Sequence, residues 1–341
     1  MSIKAAAIAL ETRVGDVAHN LALVETMVVE AAAKGARIVA LPEFFTSAIT
    51  PDERSYAAVL GEDNRAVRLL QHLAHKHKIW IGGSLLQQAQ DQIVNRYVLV
   101  EPSQATHCHD KDLPTMWENA FYAGGHDDGV WETELGTAGA AMCWELIRQQ
   151  SLRRMAGRVQ WVITGTHWWT LPHNWPGLGP DSLLLRRLAR RNAQLSESAP
   201  AVFARHLQVP VIQASHCGYF EGRFRLLAGR DIALRYRSHF VGATQIVNAQ
   251  GEVLALRRTQ QGSGIVYADI DIPRAAPVPA GVGSGFWIPR LPKLMRLYWH
   301  QQNWANRPVY QRRGRRLGLE GAACHAALDS HPAAQPKRTS T

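Results

Sequence analysis

Apolar positions along the chain switch between two periods, and the switches divide it into strands and helices. Residues 3–10 form an apolar and small-residue run that predicts a first strand. Over 17–34, Leu21, Val24, Val28, Ala31 and Ala32 recur at helical spacing, and Gly35 closes the stripe. Residues 37–41 predict a short buried strand stopped by Pro42. Val67, Leu70, Leu73 and Ala74 mark a helix over 64–78, which leaves His72, His75 and His77 at solvated positions. Strands follow at 79–85, interrupted by Gly82-Gly83, and at 93–100, with 104–110 folding back on the latter as a hairpin. A second hairpin begins at 129–134 and leads into a strand over 138–142. A helix is then expected over 146–155 and a strand over 159–164. A long helix over 181–207 has Asp181 or Ser182 as its N-cap and Pro200 as the residue able to break it. A strand at 209–215, a hairpin joining 239–248 to 252–256, and a strand at 264–271 complete the pattern. Alternation of this kind predicts an α/β fold.

Composition narrows the classes. The chain has 341 residues, 46% of them apolar and 19% charged, enough for a sizeable core and too apolar for general disorder. No apolar run approaches the roughly 18 residues of a membrane span. The first ten residues lack the apolar core of a signal peptide. Cys108, Cys143, Cys217 and Cys324 lack metal-site or disulfide-framework spacing. These features place the expected compartment in the cytoplasm. The net charge of +10 concentrates in 148–158, 186–191 and 307–316. The first two runs lie on helical patterns as solvated faces, and no nucleic-acid-binding module is present, so a nucleic-acid role is not expected. After residue 272, proline, glycine and alanine dominate, and scattered aromatics follow. The chain is therefore divided into a domain at 1–272, an extension at 273–320 that clasps either a partner subunit or its own domain, and a disordered tail at 321–341.

Candidate chemistry sits where strands end. Small residues run from Ala138 to Met142, and Cys143 follows at the turn into a helix. Helix-start N–H groups beside the sulfur are expected to lower its pKa and to hold an oxyanion. Glu43 stands directly after the 37–41 strand, between Leu41-Pro42 and Phe44-Phe45. An apolar wall of that kind raises a carboxyl pKa toward the range of a general base. Lys111 follows the 104–110 strand and precedes a loop with Trp117, Glu118, Phe121 and Tyr122, the composition of a pocket wall. A second aromatic stretch, 165–180, carries His167, Trp168, Trp169, His173 and Trp175. Strand ends of one sheet share an edge, so Glu43, Lys111 and Cys143 are expected together. A carboxylate base, a cation and a thiol suit attack on an electron-poor carbon bonded to nitrogen. A Cys–His hydrolase using His167 or His216 is the nearest enzymatic rival, and it leaves Glu43 and Lys111 without a role.

Three motifs carry a family resemblance: Ala40-Leu41-Pro42-Glu43, Asp110-Lys111-Asp112-Leu113-Pro114 and Ala141-Met142-Cys143-Trp144-Glu145. In order and spacing they resemble the nitrilase superfamily of carbon-nitrogen hydrolases, over about residues 2–272, with Asn95-Arg96-Tyr97, 210–218 and 242–251 as secondary matches. The resemblance implies a four-layer α-β-β-α sandwich, a catalytic triad of Glu43, Lys111 and Cys143 assisted by Glu118, and assembly into homodimers or larger homo-oligomers. It implies no cofactor and no metal. The substrate expected is a small-molecule amide, with a nitrile second, meeting Trp117, Phe121, Trp144, His167 and Trp168. A soluble acyltransferase and a non-catalytic binding scaffold are the readings from other classes. Residues 168–180 depart from the family by being longer and more aromatic, and Leu146-Ile147-Arg148 resemble the amidase branches.

Overall fold

A computed structural model of the chain describes residues 2–170, 183–225, 233–278 and 290–330. In chain order the first elements are β1 (Ser2–Leu10), α1 (Val17–Ala33), β2 (Ile38–Ala40), α2 (Arg65–His77), β3 (Trp80–Ala89), β4 (Gln92–Val100) and β5 (Thr106–Asp110). Then come β6 (Val130–Thr133), β7 (Gly136–Ala140), α3 (Gln149–Met155), β8 (Trp161–Thr166), α4 (Leu183–Leu207) and β9 (Val211–His216). The chain continues with β10 (Tyr219–Arg225), β11 (Ala233–His239), β12 (Thr244–Val247), β13 (Val253–Arg257), β14 (Gly264–Asp271), α5 (Lys293–Val309) and α6 (Arg315–Ser330).

The sheet turns about β1. Ala5, Ala6, Ala7 and Ala9 of this strand are buried on both faces, as in a strand covered on two sides. One wing runs β1-β2-β3-β4-β5, parallel as far as β3 and antiparallel beyond. The other runs β9-β8-β7-β6, joined to β1 only at Ala9–Ser215 and Leu10–His216. The wings face each other: a Cβ at Gly82 of β3 would lie 2.9 Å from Ile163 Cδ1 of β8. Ile38, Trp80 and Leu99 of one wing and Ala138, Trp161 and Ile212 of the other form the core between them. Val24 and Val28 of α1 and Leu70 and Leu73 of α2 cover the first wing. Leu152 of α3 and Phe203 and Leu207 of α4 cover the second. Each fully buried aliphatic side chain contributes roughly 1.5–3 kcal/mol. The four layers are helix, sheet, sheet and helix, as the resemblance implies.

Several expectations change. The residues after Cys143 form a 3-10 turn, Cys143–Ile147, and a separate short α3 in place of one helix. Pro200 does not break α4, which stays packed through Ala199, Phe203 and Ala204. The Asp181 or Ser182 cap, His173 and Trp175 lie outside the described residues. The β10–β11 hairpin is an element the sequence pattern does not announce. The tail is corrected most: Gly321–Ser330, expected to be disordered, is the second half of α6. Alanine is the strongest helix former, and Ala322 is buried. Gly321 meets the carbonyl of Tyr56 so closely that no Cβ would fit there. His325 Nε2 lies 2.7 Å from the Ala57 carbonyl oxygen, and Asp329 accepts from Arg68 at 2.9 Å. The described part of the extension therefore clasps its own domain. Asn119 donates to Asn303 of α5 at 2.8 Å, and the Ile93 N–H donates to the Tyr310 hydroxyl at 2.9 Å.

Candidate active site

Three short strands deliver the three candidate groups to one edge. Pro42 ends β2 and Glu43 follows. β8 crosses so near that a Cβ on Gly165 would collide with the Glu43 backbone nitrogen, which fixes a glycine there. Lys111 follows β5, and its N–H donates to the Asn95 carbonyl at 3.0 Å. Cys143 opens the turn after β7. Phe44, Met116 and Cys143 all hold φ between 52° and 58°. A left-handed backbone costs a non-glycine residue roughly 1–2 kcal/mol, so the surroundings hold strain in all three segments.

Glu43 is fully buried and held by three donors. Lys111 Nζ donates to its Oε1 at 2.7 Å, Asn95 Nδ2 to the same oxygen at 2.8 Å, and the His167 N–H to Oε2 at 2.9 Å. His216 Nε2 donates to its carbonyl at 2.7 Å. Burial raises the Glu43 carboxyl from 4.5 to about 7, against the opposing pull of Lys111. Lys111 Nζ also donates to Glu118 Oε2 at 2.9 Å. Burial works against the ammonium, but Glu118 and Glu43 overcome it and hold the group well above its ordinary pKa. Glu118 Oε2 takes two further donors, the Thr115 N–H at 3.0 Å and the Tyr122 hydroxyl at 2.5 Å, while Oε1 has none.

The thiol departs from expectation. Its pKa is raised well above the ordinary value, not lowered: burial and the Glu43 charge outweigh Lys111. Reading the turn by itself omits the two carboxyl groups that the fold brings alongside. Lys111 Nζ lies 2.7 Å from Glu43 and 2.9 Å from Glu118, and Glu118 lines the same cavity as Cys143, so the three strand ends lie together.

The turn itself is fixed by Glu145, whose Oε2 accepts the Met142 N–H at 2.7 Å and whose Oε1 accepts the Asp112 N–H at 2.9 Å. One side chain thus ties the cysteine turn to the lysine segment. His109 donates toward Asp127 at 2.5 Å and Glu145 at 3.1 Å. Burial opposes its charge, but Glu145 and Asp127 raise it from 6.5 to about 10. Arg154 meets Asp112 at 2.5 Å, and Arg148 meets it at 3.3 Å. His109, Asp112 and Glu145 form a close set of donor atoms, and the Arg148 and Arg154 guanidinium groups neutralise it.

Trp144, His167 and Trp168 line the cavity beside Cys143, with Met116, Glu118 and Trp169. Trp117 and Phe121 do not line it. Trp117 stands behind, its ring 6.1 Å from His167 and 5.5 Å from Trp169, and Phe121 stacks on Tyr56. Among the described residues no hydrogen bond joins Cys143 to His167 or His216, and the His216 ring nitrogens meet Thr12 and the Glu43 carbonyl. Burial keeps both histidines neutral, His216 at about 4 and His167 well below its ordinary value. Sequence reasoning named Asn95 only as part of a motif and Tyr122 only as part of an aromatic loop, and it did not place Asn192, Met295 or Tyr298 at the site. Nothing in local spacing shows that α5 reaches this cavity.

Comparison with known proteins agrees with the fold and the motifs. The carbon-nitrogen hydrolase family model matches residues 4–280. A hydrolase of Schizosaccharomyces pombe is 26% identical over 271 residues, covering 75% of this chain and 73% of its own. A chloroplastic omega-amidase of Arabidopsis thaliana is 26% identical over 158 residues, 42% of this chain and 43% of its own. A citrullinase of Francisella tularensis is 25% identical over 150 residues, 41% of this chain and 52% of its own. Among solved structures, a carbon-nitrogen hydrolase of Helicobacter pylori superposes with a TM-score of 0.64 at 19% identity, covering 80% of this chain and 90% of its own. A mutant amidase of Nesterenkonia sp. AN1, carrying acrylamide on its active-site cysteine, gives 0.55 at 18% identity, covering 80% and 94%. Among the described residues no helix is long and apolar enough to cross a membrane.

Proposed function

The chain belongs to the carbon-nitrogen hydrolase family, and from that premise we propose that it is an amidase using Glu43, Lys111 and Cys143 as its catalytic triad. The observation that carries this reading is the buried contact of Lys111 Nζ with both Glu43 and Glu118 beside Cys143. The similarity to proteins named omega-amidase, citrullinase and amidase favours an amide over a nitrile.

A thiol with a raised pKa is not stored as thiolate. Glu43, poised near neutrality, takes the proton as sulfur attacks the amide carbon. Negative charge develops on the carbonyl oxygen. Lys111 faces it as a fixed ammonium, and the Trp144 N–H assists; it lies ahead of the turn's first internal bond, from the Glu145 N–H to the Met142 carbonyl. The C–N bond breaks as protonated Glu43 gives its proton to the nitrogen. Ammonia or an amine leaves, and a thioester remains on Cys143. Water then attacks the thioester with Glu43 again as base, which releases the acid and restores the thiol. Glu118 holds Lys111 and leaves Oε1 open to a substrate N–H.

The test is a panel of amides, carbamoyl amino acids and nitriles scored for ammonia release, with the acyl-enzyme trapped and located by mass. Ammonia release with an acyl group on Cys143 is expected for amides. A Cys143→Ala chain should fold with an unchanged Tm and release nothing. Continued hydrolysis in that variant would remove the mechanism.

A further inference from the structure

The walls of the cavity say what kind of acyl group fits, given the proposed role of Cys143 as nucleophile. Trp144, Trp168 and Trp169 form one side, and Met295 and Tyr298 of α5 form the roof. Asn192 is the one buried amide among the described lining residues, and it makes two hydrogen bonds within the wall. Its Oδ1 accepts from Trp168 Nε1 at 3.0 Å, and its Nδ2 donates to the Trp169 carbonyl at 2.9 Å. These two bonds hold the Trp168 indole and the Trp169 backbone in place.

Charge is the second constraint. No lysine or arginine lines the cavity among the described residues. Lys111, just behind, is shared by two carboxyl groups. The lining ionisable group with an unpartnered oxygen is Glu118, which repels an anion and accepts an N–H. Arg191 and Arg290 line a separate cleft of about 230 Å³ across Asn192 and Met295, not the space at the sulfur. That space is about 10 Å³, room for roughly one water, so a larger group must displace part of the roof. Met295 and Tyr298 lie beyond residues 4–280, the part matched by the family.

We propose that this cavity takes only an uncharged acyl group, its apolar side chain lying between the tryptophan wall and α5, and that amides with a carboxylate close to the reacting carbon are rejected. Met295 is the specificity-determining residue that limits acyl size.

The test uses the full chain at pH 8 and paired small electrophiles, neutral iodoacetamide against anionic iodoacetate. Alkylation of the Cys143 peptide is followed by mass, with exposed Cys324 in the same molecule as the reference thiol. An unpaired carboxylate in a buried site costs about 3–5 kcal/mol, which converts to a preference for iodoacetamide at Cys143 at least about 100-fold beyond that at Cys324. A preference within about threefold of the Cys324 value overturns the inference and leaves Cys143 as nucleophile. Failure of both reagents at Cys143, while Cys324 reacts, removes the nucleophile reading and the inference together. In Met295→Ala, a benzyl-substituted iodoacetamide should gain about tenfold relative to iodoacetamide, with iodoacetate still rejected. No gain there overturns the role of Met295.

Discussion

Glu43 must be ionised to accept the thiol proton, and burial sets its pKa at about 7. The rate of Cys143 alkylation by iodoacetamide should therefore fall on the acid side of neutrality. At pH 5, two units below, only about 1% of Glu43 is ionised, and the rate should drop about 100-fold from its plateau. The perturbation that isolates this group is Asn95→Leu. It removes the 2.8 Å donor to Glu43 Oε1 and fills nearly the same volume, and the backbone contact from Asn95 to Lys111 stays. A hydrogen bond to a charged group contributes about 1.5–3 kcal/mol. At 1.36 kcal/mol per pKa unit, its loss should move the acid limb up by about 1–2 pH units. The assay is the pseudo-first-order rate of Cys143 alkylation between pH 5 and 9 in both proteins, with Cys324 as reference. A flat wild-type profile between pH 5 and 8, or a limb that does not move up in Asn95→Leu, would refute Glu43 as the base. The same shift has a stability consequence of defined sign. The folded pKa lies above the ordinary 4.5, so the folded chain binds more protons than the unfolded one between 4.5 and 7. This group's contribution to stability declines as pH rises through that window.

Lys111→Met should lower the hydrolysis rate by on the order of 10²–10³, the range for losing one oxyanion donor. It should also destabilise the fold by about 3–5 kcal/mol in a urea titration, because Glu43 and Glu118 lose their shared cation; a near-normal rate would show that another group holds the oxyanion. His109 has a folded pKa of about 10, above its ordinary 6.5. Its contribution is complete below about 6.5 and lost as pH rises through 10, so the wild-type chain should lose roughly 3–5 kcal/mol over that range and His109→Gln should lack the slope. Equal slopes in the two proteins would show that the histidine carries no charge in the fold. Gly165→Ala should reduce alkylation of Cys143 as well as Tm, since its Cβ would displace the Glu43 backbone; an unchanged rate would mean that Glu43 tolerates the shift.

What was legible in the chain is what local chemistry writes locally. Glu43, Lys111 and Cys143 each follow a strand whose end is marked by a proline, a loop or a run of small residues, so one sheet edge could be expected to hold all three. The raised carboxyl of Glu43 was legible for the same reason, because its apolar neighbours Leu41, Phe44 and Phe45 are adjacent in sequence. The thiol was misread because its electrostatics come from residues 100 positions or 25 positions away. The side of the pocket on which Trp117 and Phe121 fall was hidden, since an aromatic loop does not reveal which face it turns inward. The tail after residue 320 reads as disordered in sequence, but the close fit of Gly321 on the turn Glu53–Ala58 depends on two surfaces distant in the chain.

The least legible part, α5, is also the part that gives this site its own character. Lys111 between two carboxyl groups is a costly arrangement to bury, and replacing such groups with apolar ones would often stabilise a fold. Its retention is understandable where the charges act on a reacting centre, and the three strained residues Phe44, Met116 and Cys143 around it point the same way. A site of that kind needs water excluded around the charges for them to act strongly. Met295 and Tyr298 line the cavity beside the sulfur, and Asn303 and Tyr310 of the same extension tie it to the segments bearing Glu118 and Asn95. In the proposed mechanism the extension therefore has two roles: it keeps water from Glu43, Lys111 and Cys143, and by the same contacts it sets which acyl group can approach.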